Sequence, residues 1–256
     1  MSNQNNASAW AKEHFDAWVR RFGTPEAYAE KIKKEPNSIL GPLSAYFVNV
    51  NQKKIINLMG SNGNKAVALS LLGAKVTVVD FSESNKTYAM ALAKEAGVEI
   101  EYLVSDILAL SMKESYDLAF AEMGILHYFT DLSVFFSTIY NVLNLGGECL
   151  IRDFHPISTK LISSRGSTAK VRKHKVDGDY FSDALFEKEV SYGKYGEDEP
   201  EKVYLRLWTL GEIITAAAHA GFVVAELKEE PNQSSDVFDK GIPKTFVLKL
   251  LKGRRD

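Results

Sequence analysis

The stretch Lys54-Ile-Ile-Asn-Leu-Met-Gly-Ser-Asn-Gly-Asn-Lys-Ala-Val-Ala-Leu-Ser-Leu-Leu-Gly-Ala-Lys-Val-Thr-Val-Val-Asp80 decides the fold. Ile55, Ile56 and Leu58 make a short apolar run suited to a strand covered on both faces. Gly60 and Gly63 then allow a sharp turn and a close approach of backbone to a ligand. Ala66, Val67, Ser70 and Leu71 recur at helical spacing, and Gly73, just past Leu72, is a helix stop. Lys75 to Val79 reads as a second apolar strand. Asp80 follows Gly60 by about twenty residues, where a carboxylate can accept ribose hydroxyl protons and repel a 2′-phosphate. The order strand, turn, helix, strand, acid is the layout of a nucleoside-cofactor site. A ligand-free βαβ unit is the competing reading.

The same alternation continues downstream. Phe81 leads into Ser82-Glu83-Ser84-Asn85, a helix-start signature, and the helix runs through Tyr88 and Leu92 to Gly97. Glu99–Val104 predicts a third strand, Tyr116–Ala121 a fourth that ends in Glu122-Met123-Gly124, and Leu132–Leu143 a helix. Leu145-Gly146-Gly147 reads as a turn before a fifth strand over Glu148–Arg152. Trp208 to Glu212 opens a helix that ends at Ala220-Gly221, and Phe222–Leu227 and Thr245–Leu251 supply the last two strands. The expected fold is α/β, a doubly wound, mostly parallel seven-stranded sheet with helices on both faces and a ligand crevice at the strand carboxyl ends. Asp80, Asp106, Glu122 and Asp153 all fall at such ends.

Two regions stand outside this pattern. Residues 1–50 read as a helical cap or lid, with Trp10, His14, Trp18 and Phe22 on one helical face and a second helix around Tyr28 and Ile32. The domain proper spans 51–256, with an inserted lid over about 157–206 after the fifth strand. That insertion holds a basic cluster, Lys170, Arg172, Lys173, His174 and Lys175, followed by the aromatics Tyr180, Phe181, Phe186, Tyr192, Tyr195 and Tyr204.

Composition narrows the class. With 45% hydrophobic and 25% charged residues the chain is globular in type, and a net charge of −2 gives no general attraction to nucleic acid or an anionic membrane. Met1 to Ser8 has no basic start and no apolar stretch, so no targeting peptide is expected there. No apolar run reaches the roughly twenty residues of a membrane span. The single cysteine, Cys149, fits a reducing cytoplasm, and the scattered histidines give no metal-ligand spacing, so no metal is expected.

The Ile55–Gly63 turn, the Val78-Val79-Asp80-Phe81-Ser82 strand end, the Ser105-Asp106-Ile107 step and the Tyr116-Asp117-Leu118 to His127 stretch, with Leu143-Asn144-Leu145-Gly146-Gly147 after it, carry a family likeness. The chain, from about Lys54 to Leu251, resembles the class I S-adenosylmethionine-dependent methyltransferases (Rossmann-like), particularly the branch acting on small molecules. The resemblance implies S-adenosylmethionine as cofactor and in-line methyl transfer to a small-molecule acceptor. It implies that Gly60, Ser61, Asn62 and Gly63 line the cofactor turn and that Asp80 takes the ribose. Phe81 then packs on the base, Asp106 accepts the adenine amino proton with Ile107 beside the ring, and Glu122 and Met123 sit under the sulfonium end. The turn departs from the family pattern, which prefers an acid at Asn57 and glycine at Met59 and Ser61.

A general base matters only if the acceptor must lose a proton. The candidates are His127, after the fourth strand, and Asp153 with His155, after the fifth. A packing role for His127, and a loop-fixing hydrogen bond for the Asp153 and His155 pair, remain open alternatives. Cys149 inside a strand reads as core, which argues against covalent base methylation. The strand-four end lacks the Asn/Asp-Pro-Pro-aromatic clamp for a flipped base, so nucleic acid is not the expected acceptor. An NAD-dependent oxidoreductase shares the Gly60–Asp80 layout, although no Tyr-x-x-x-Lys dyad occurs. A non-catalytic nucleoside-cofactor-binding protein is the third reading. Oligomeric state and the identity of the acceptor are not legible.

Overall fold

Apolar residues that alternate along each central strand divide the core into two layers. In a computed structural model, which describes residues 15–111, 115–165, 173–190, 201–233 and 239–253, strand β1 (Lys54–Leu58) sends Ile55 to one side of the sheet and Ile56 and Leu58 to the other. Strand β4 (Tyr116–Glu122) divides in the same way, with Leu118 and Phe120 against Ala119 and Ala121. The period of two in a strand requires this division, and helices must cover both faces.

The first face is covered by the amino-terminal helices α1 (Phe15–Phe22), α2 (Pro25–Lys34) and α3 (Pro36–Leu40), together with α4 (Asn64–Leu71) and α5 (Glu83–Ala96). Trp18, Tyr28, Ile32, Leu40 and Leu43 are buried in the same cluster as Val78 and Phe120, so the described part of residues 1–50 packs as a cap on the sheet. Trp10 and His14 lie outside the described residues. The second face is covered by α6 (Leu132–Val142) and α7 (Leu210–His219), through Phe135, Ile139, Ile213 and Ala217.

The helix starts are chemically specified. Ser82 caps α5 by accepting from the Asn85 amide (3.2 Å), and Gly97 closes it at φ 73°. Thr209 and Glu212 form a reciprocal capping box at α7.

The strands are completed by β2 (Lys75–Asp80), β3 (Glu101–Val104), β5 (Leu143–Phe154), β10 (Phe222–Glu230) and β11 (Thr245–Lys252). They form one seven-stranded sheet in the order β10-β11-β5-β4-β1-β2-β3, parallel except that β11 runs antiparallel to both neighbours. Strand order reverses between β1 and β4, which places the switch-point crevice outside their carboxyl ends. The expected turn at Leu145–Gly147 instead belongs to β5, with a register irregularity opposite Tyr116 and Leu118 and Gly146 at φ 78°. After β5 come a π-helical turn (Ile157–Leu161) and two antiparallel pairs, β6 (Ile162–Arg165) with β7 (Lys173–Val176) and β8 (Leu185–Val190) with β9 (Glu201–Arg206). Buried Lys160 ties this insertion down, its ammonium donating to the carbonyls of Ser182 (2.6 Å) and Leu207 (2.8 Å). Lys170, Arg172, Tyr192 and Tyr195 lie outside the described residues.

Among the described residues no helix is long and apolar enough to cross a membrane. Cys149 is fully buried and its thiol pKa is raised by burial, which fits a core residue and not a nucleophile.

Candidate functional site

The turn leaving β1 has an alternating left-handed backbone: φ is 49° at Met59, 49° at Ser61 and 70° at Gly63. The glycine-type conformation is therefore kept where the side chains are not glycine, at a cost of about 1 kcal/mol or more for each L residue held there. Gly60 is required for another reason. A Cβ there would lie 2.6 Å from both Asn57 Oδ1 and Val78 Cγ1. Gly63 would meet the Ala89 Cβ at 2.6 Å, so it lets α4 approach α5. Met59 is half-buried and rests against the apolar cluster that includes Leu58, Val79 and Ile107.

Asp80 holds this turn. Its Oδ2 accepts from the Ser61 amide (3.0 Å), while Oδ1 accepts from the Ser82 amide (3.1 Å) and the Asn85 side chain (3.1 Å). Burial pushes the carboxyl pKa up, against the lowering effect of those hydrogen bonds. Asn85 is in turn gripped by the Trp18 indole, which donates to its Oδ1 (2.7 Å). The cap thereby reaches the acid through one intervening amide. Two further contacts fix the turn: the Tyr102 hydroxyl donates to the Ser61 carbonyl (2.6 Å), and the Asn64 side chain donates to Tyr28 (3.0 Å).

The other residues expected to line the cofactor converge on this region. Asn62 is buried and accepts from the Asn64 amide. Phe81 is half-buried beside Asp80, Ile107 is buried, and Asp106 caps the short helix after β3 by accepting from the Leu108 amide (2.8 Å). Glu122, at the end of β4, forms ion pairs with Lys65 from α4 and with Arg152 from β5 (3.1 Å). Arg152 continues to Glu230 (2.9 Å) and approaches the Met123 sulfur (3.3 Å). Burial, and then repulsion from Arg152, lower the Lys65 pKa to about 8.

The base candidates separate. Asp153 is 3% exposed and accepts four backbone amides, from Gly124 (2.7 Å) and Phe154 (2.7 Å) on Oδ1 and from Ile125 (2.9 Å) and Leu126 (2.8 Å) on Oδ2. Three of these amides belong to the loop after β4 and the fourth to Phe154 at the end of β5, so the carboxylate anchors that loop to the strand. That loop needs an anchor because Met123 (φ 62°) and Gly124 (φ 82°) are both left-handed. His155 points to a different partner. Its Nδ1 accepts from the Ile157 amide (3.1 Å) and its Nε2 meets Glu229 (2.7 Å), so it is held against the antiparallel end of the sheet. Burial lowers its pKa despite Glu229. In this arrangement His155 links the end of β5 to β10 through Glu229.

His127 remains at the crevice. It is half-buried, its ring lies 4.4 Å from that of Tyr128, and it lines a cavity of about 20 Å³ with Phe154, Thr159 and Trp208. Trp208 is placed there by its indole donating to the Leu126 carbonyl (3.0 Å) and by the Arg206 guanidinium 3.6 Å over its ring. Asn85, Tyr102, Lys65 and Arg152, which sequence reasoning missed, contact the candidate site residues Asp80, Ser61 and Glu122. Asn85 carried a signal, as a candidate cap, but its bond to Asp80 is tertiary.

Residues 59–151, from the β1 turn through most of β5, match the family model described as a methyltransferase domain. The fold is that of class I S-adenosylmethionine-dependent methyltransferases. A methyltransferase of that kind from Mesorhizobium loti superposes with a TM-score of 0.63 at 22% identity, covering 82% of this chain and 95% of that one. The magnesium protoporphyrin IX methyltransferase from Synechocystis PCC 6803, with bound SAH, gives 0.60 at 14% identity over 99% of this chain and 100% of that one. Among curated proteins, the ubiquinone biosynthesis O-methyltransferase of Pseudomonas putida (strain W619) is 29% identical over 154 residues, 58% of this chain and 62% of that protein. The protein of the same name from Rickettsia canadensis (strain McKiel) is 33% identical over 79 residues, 31% of this chain and 34% of that protein. The chain thus spans between about a third and just under two thirds of the length of these curated relatives.

Proposed function

We propose that the protein is an S-adenosylmethionine-dependent methyltransferase that acts on a small-molecule hydroxyl acceptor. One observation carries the reading: the carboxylate ending β2 is hydrogen-bonded to the turn leaving β1 (Asp80 Oδ2 to the Ser61 amide, 3.0 Å), beside the crevice where strand order reverses. An acid poised for ribose and a compact turn are then one preorganised unit. The donor set fits the cofactor: Asp80 for the sugar, Phe81, Asp106 and Ile107 for the base, and the charged Lys65 and Glu122 near the turn. S-adenosylmethionine supplies, when bound, a methyl group on a positively charged sulfur that is ready for in-line displacement.

The protein's own contribution is alignment and exclusion of water. Met123, Gly124 and the Asp153-anchored loop shape the floor on the β4 side, and Trp208 and Phe154 form an apolar wall. His127 borders that wall, and we assign to it the acceptance of a proton from an acceptor hydroxyl. The hydroxyl class is inferred from the curated relatives, whose names specify O-methyl transfer, and a cytoplasmic setting is kept as part of the proposal.

The test is methyl transfer from radiolabelled S-adenosylmethionine to a panel of catechols, phenols, aliphatic alcohols and amines. Labelled product from an aromatic hydroxyl, reduced at least tenfold in His127→Ala, is the expected result. Labelling of amines alone would overturn the acceptor class, and an NAD-dependent oxidation with no methyl transfer would overturn the whole reading.

A further inference from the structure

His127 sits in a short helical turn, Leu126–Tyr128, between β4 and α6. On the sheet side the turn is fastened through Asp153, which accepts from the amides of Gly124, Ile125 and Leu126. On the other side it is held by the end of the insertion. Val203 and Leu205 of β9 are buried in a small cluster against which the Tyr128 side chain packs. The Arg206 guanidinium donates to the Thr130 carbonyl (3.3 Å), and the Trp208 indole donates to the Leu126 carbonyl (3.0 Å). Leu126, Tyr128 and Thr130 are thus fastened to the insertion, and His127 lies between the first two. Arg206 also donates to Glu212 Oε1 (2.9 Å), whose other oxygen accepts from the Thr209 amide and hydroxyl at the start of α7. Its guanidinium carbon lies 3.6 Å over the Trp208 ring, and its Nε is buried with no hydrogen-bond partner among the described residues. An unbonded buried N–H is costly, and a neutral side chain of similar length would fill the space without that cost. The charge and the fork are kept for what they hold.

Resting on the methyltransferase reading above, we propose that Arg206 is a positioning residue: it fastens the insertion to the turn that carries His127 and so fixes where the imidazole stands beside the acceptor. Its planar fork reaches oxygens on two elements, the Thr130 carbonyl ahead of α6 and Glu212 in the first turn of α7, while its face lies on the Trp208 ring. A lysine ammonium is a single point and cannot meet all three at once. Trp208 lines the same cavity as His127, so one cation sets both the apolar wall and the turn beside it. The sheet fixes one side of that turn through Asp153, and the insertion fixes the other through Arg206. Displacing a positioned group by about 1 Å can cost roughly a hundredfold in rate. A residue that touches no reacting atom can therefore govern turnover.

Amide exchange followed by NMR and steady-state kinetics with catechol as acceptor test this on the full chain. The amides of Tyr128 and Phe129 close the turn on the carbonyls of Ile125 and Leu126 (3.2 Å each). In Arg206→Met these two amides should exchange at least tenfold faster, while those of Val247 and Leu248 in β11, and the affinity for S-adenosylhomocysteine by calorimetry, change less than twofold. The kcat should fall about tenfold with less than twofold change in KM for S-adenosylmethionine. In a His127→Ala background the same substitution should cause no further loss, because the side chain it positions is gone. Arg206→Lys should give the same pattern to a smaller extent, and it decides the matter if thermal unfolding shows that Arg206→Met is not folded. Unchanged exchange at Tyr128 and Phe129, or a loss of kcat that adds in full to that of His127→Ala, overturns the positioning role and leaves the methyltransferase reading standing. Faster exchange in a protein whose unsubstituted form transfers no methyl group to any acceptor overturns that reading, and the role in turnover with it.

Discussion

Replacing Asp153 by asparagine should unfold the loop after β4 far more readily than it abolishes any acid–base step. The magnitude follows from the hydrogen bonds. The carboxylate is 3% exposed, and each of its oxygens accepts two backbone amides. Asparagine keeps one acceptor oxygen and turns an NH2 group toward the other pair of amides, so two charge-assisted bonds are lost and donors oppose donors. Each such bond contributes roughly 1.5–3 kcal/mol, and some relaxation of the loop is available. The expected destabilisation is about 3 kcal/mol or more, a large part of a total that is typically about 5–15 kcal/mol. Guanidinium unfolding followed by circular dichroism should show a lower midpoint with an unchanged slope. Turnover should fall with the population of ordered loop and keep the shape of its pH profile. An unchanged midpoint with complete loss of turnover would refute the anchoring argument and return Asp153 to the chemistry.

Four other outcomes are expected. Ser61→Gly should raise stability by up to about 1 kcal/mol in denaturant titrations, because glycine relieves the left-handed strain and gives back only part of that in unfolded-state entropy. Asn85→Ala, which removes the amide between Trp18 and Asp80, should weaken S-adenosylhomocysteine several-fold by calorimetry while leaving the fold intact. His155 is kept neutral in the folded protein, its pKa lowered by burial, so the unfolded chain takes up a proton first as pH falls below about 6.5. Stability should therefore drop with acidification below that point, and His155→Gln should flatten the dependence measured by thermal unfolding between neutral and mildly acidic pH. Lys65→Met should remove a titration near pH 8, observable by NMR of isotope-labelled lysine.

The sheet was legible because its period is strong. Ile55 against Ile56, or Leu118 against Ala119, told which faces were covered, and Ser82, Gly97 and Thr209 told where helices begin and end. Asp80 could be singled out because its spacing from the turn is a property of the chain itself, whereas Phe81, Asp106 and Ile107 entered through the family resemblance. The glycine pair near 146 was misread as a turn because a bulged strand and a turn ask for the same residues. Asp153 was read as a base candidate because any acid at a strand's carboxyl end resembles a catalytic one, and its anchoring role was hidden because its partners are backbone amides, which leave no trace in side-chain identity. His155 with Glu229, and Lys65 with Glu122, pair residues far apart in sequence, so neither could be seen before the strands were set side by side.

The central claim is that the Asp80 carboxylate and the turn it holds bind the nucleoside of S-adenosylmethionine. Titration calorimetry with S-adenosylhomocysteine tests it directly, on the unsubstituted protein and on Asp80→Ala. The account predicts one binding site, weakened at least tenfold by the substitution, which corresponds to about 1.4 kcal/mol. Equal affinity in the two proteins, or no binding by the unsubstituted one, would contradict it.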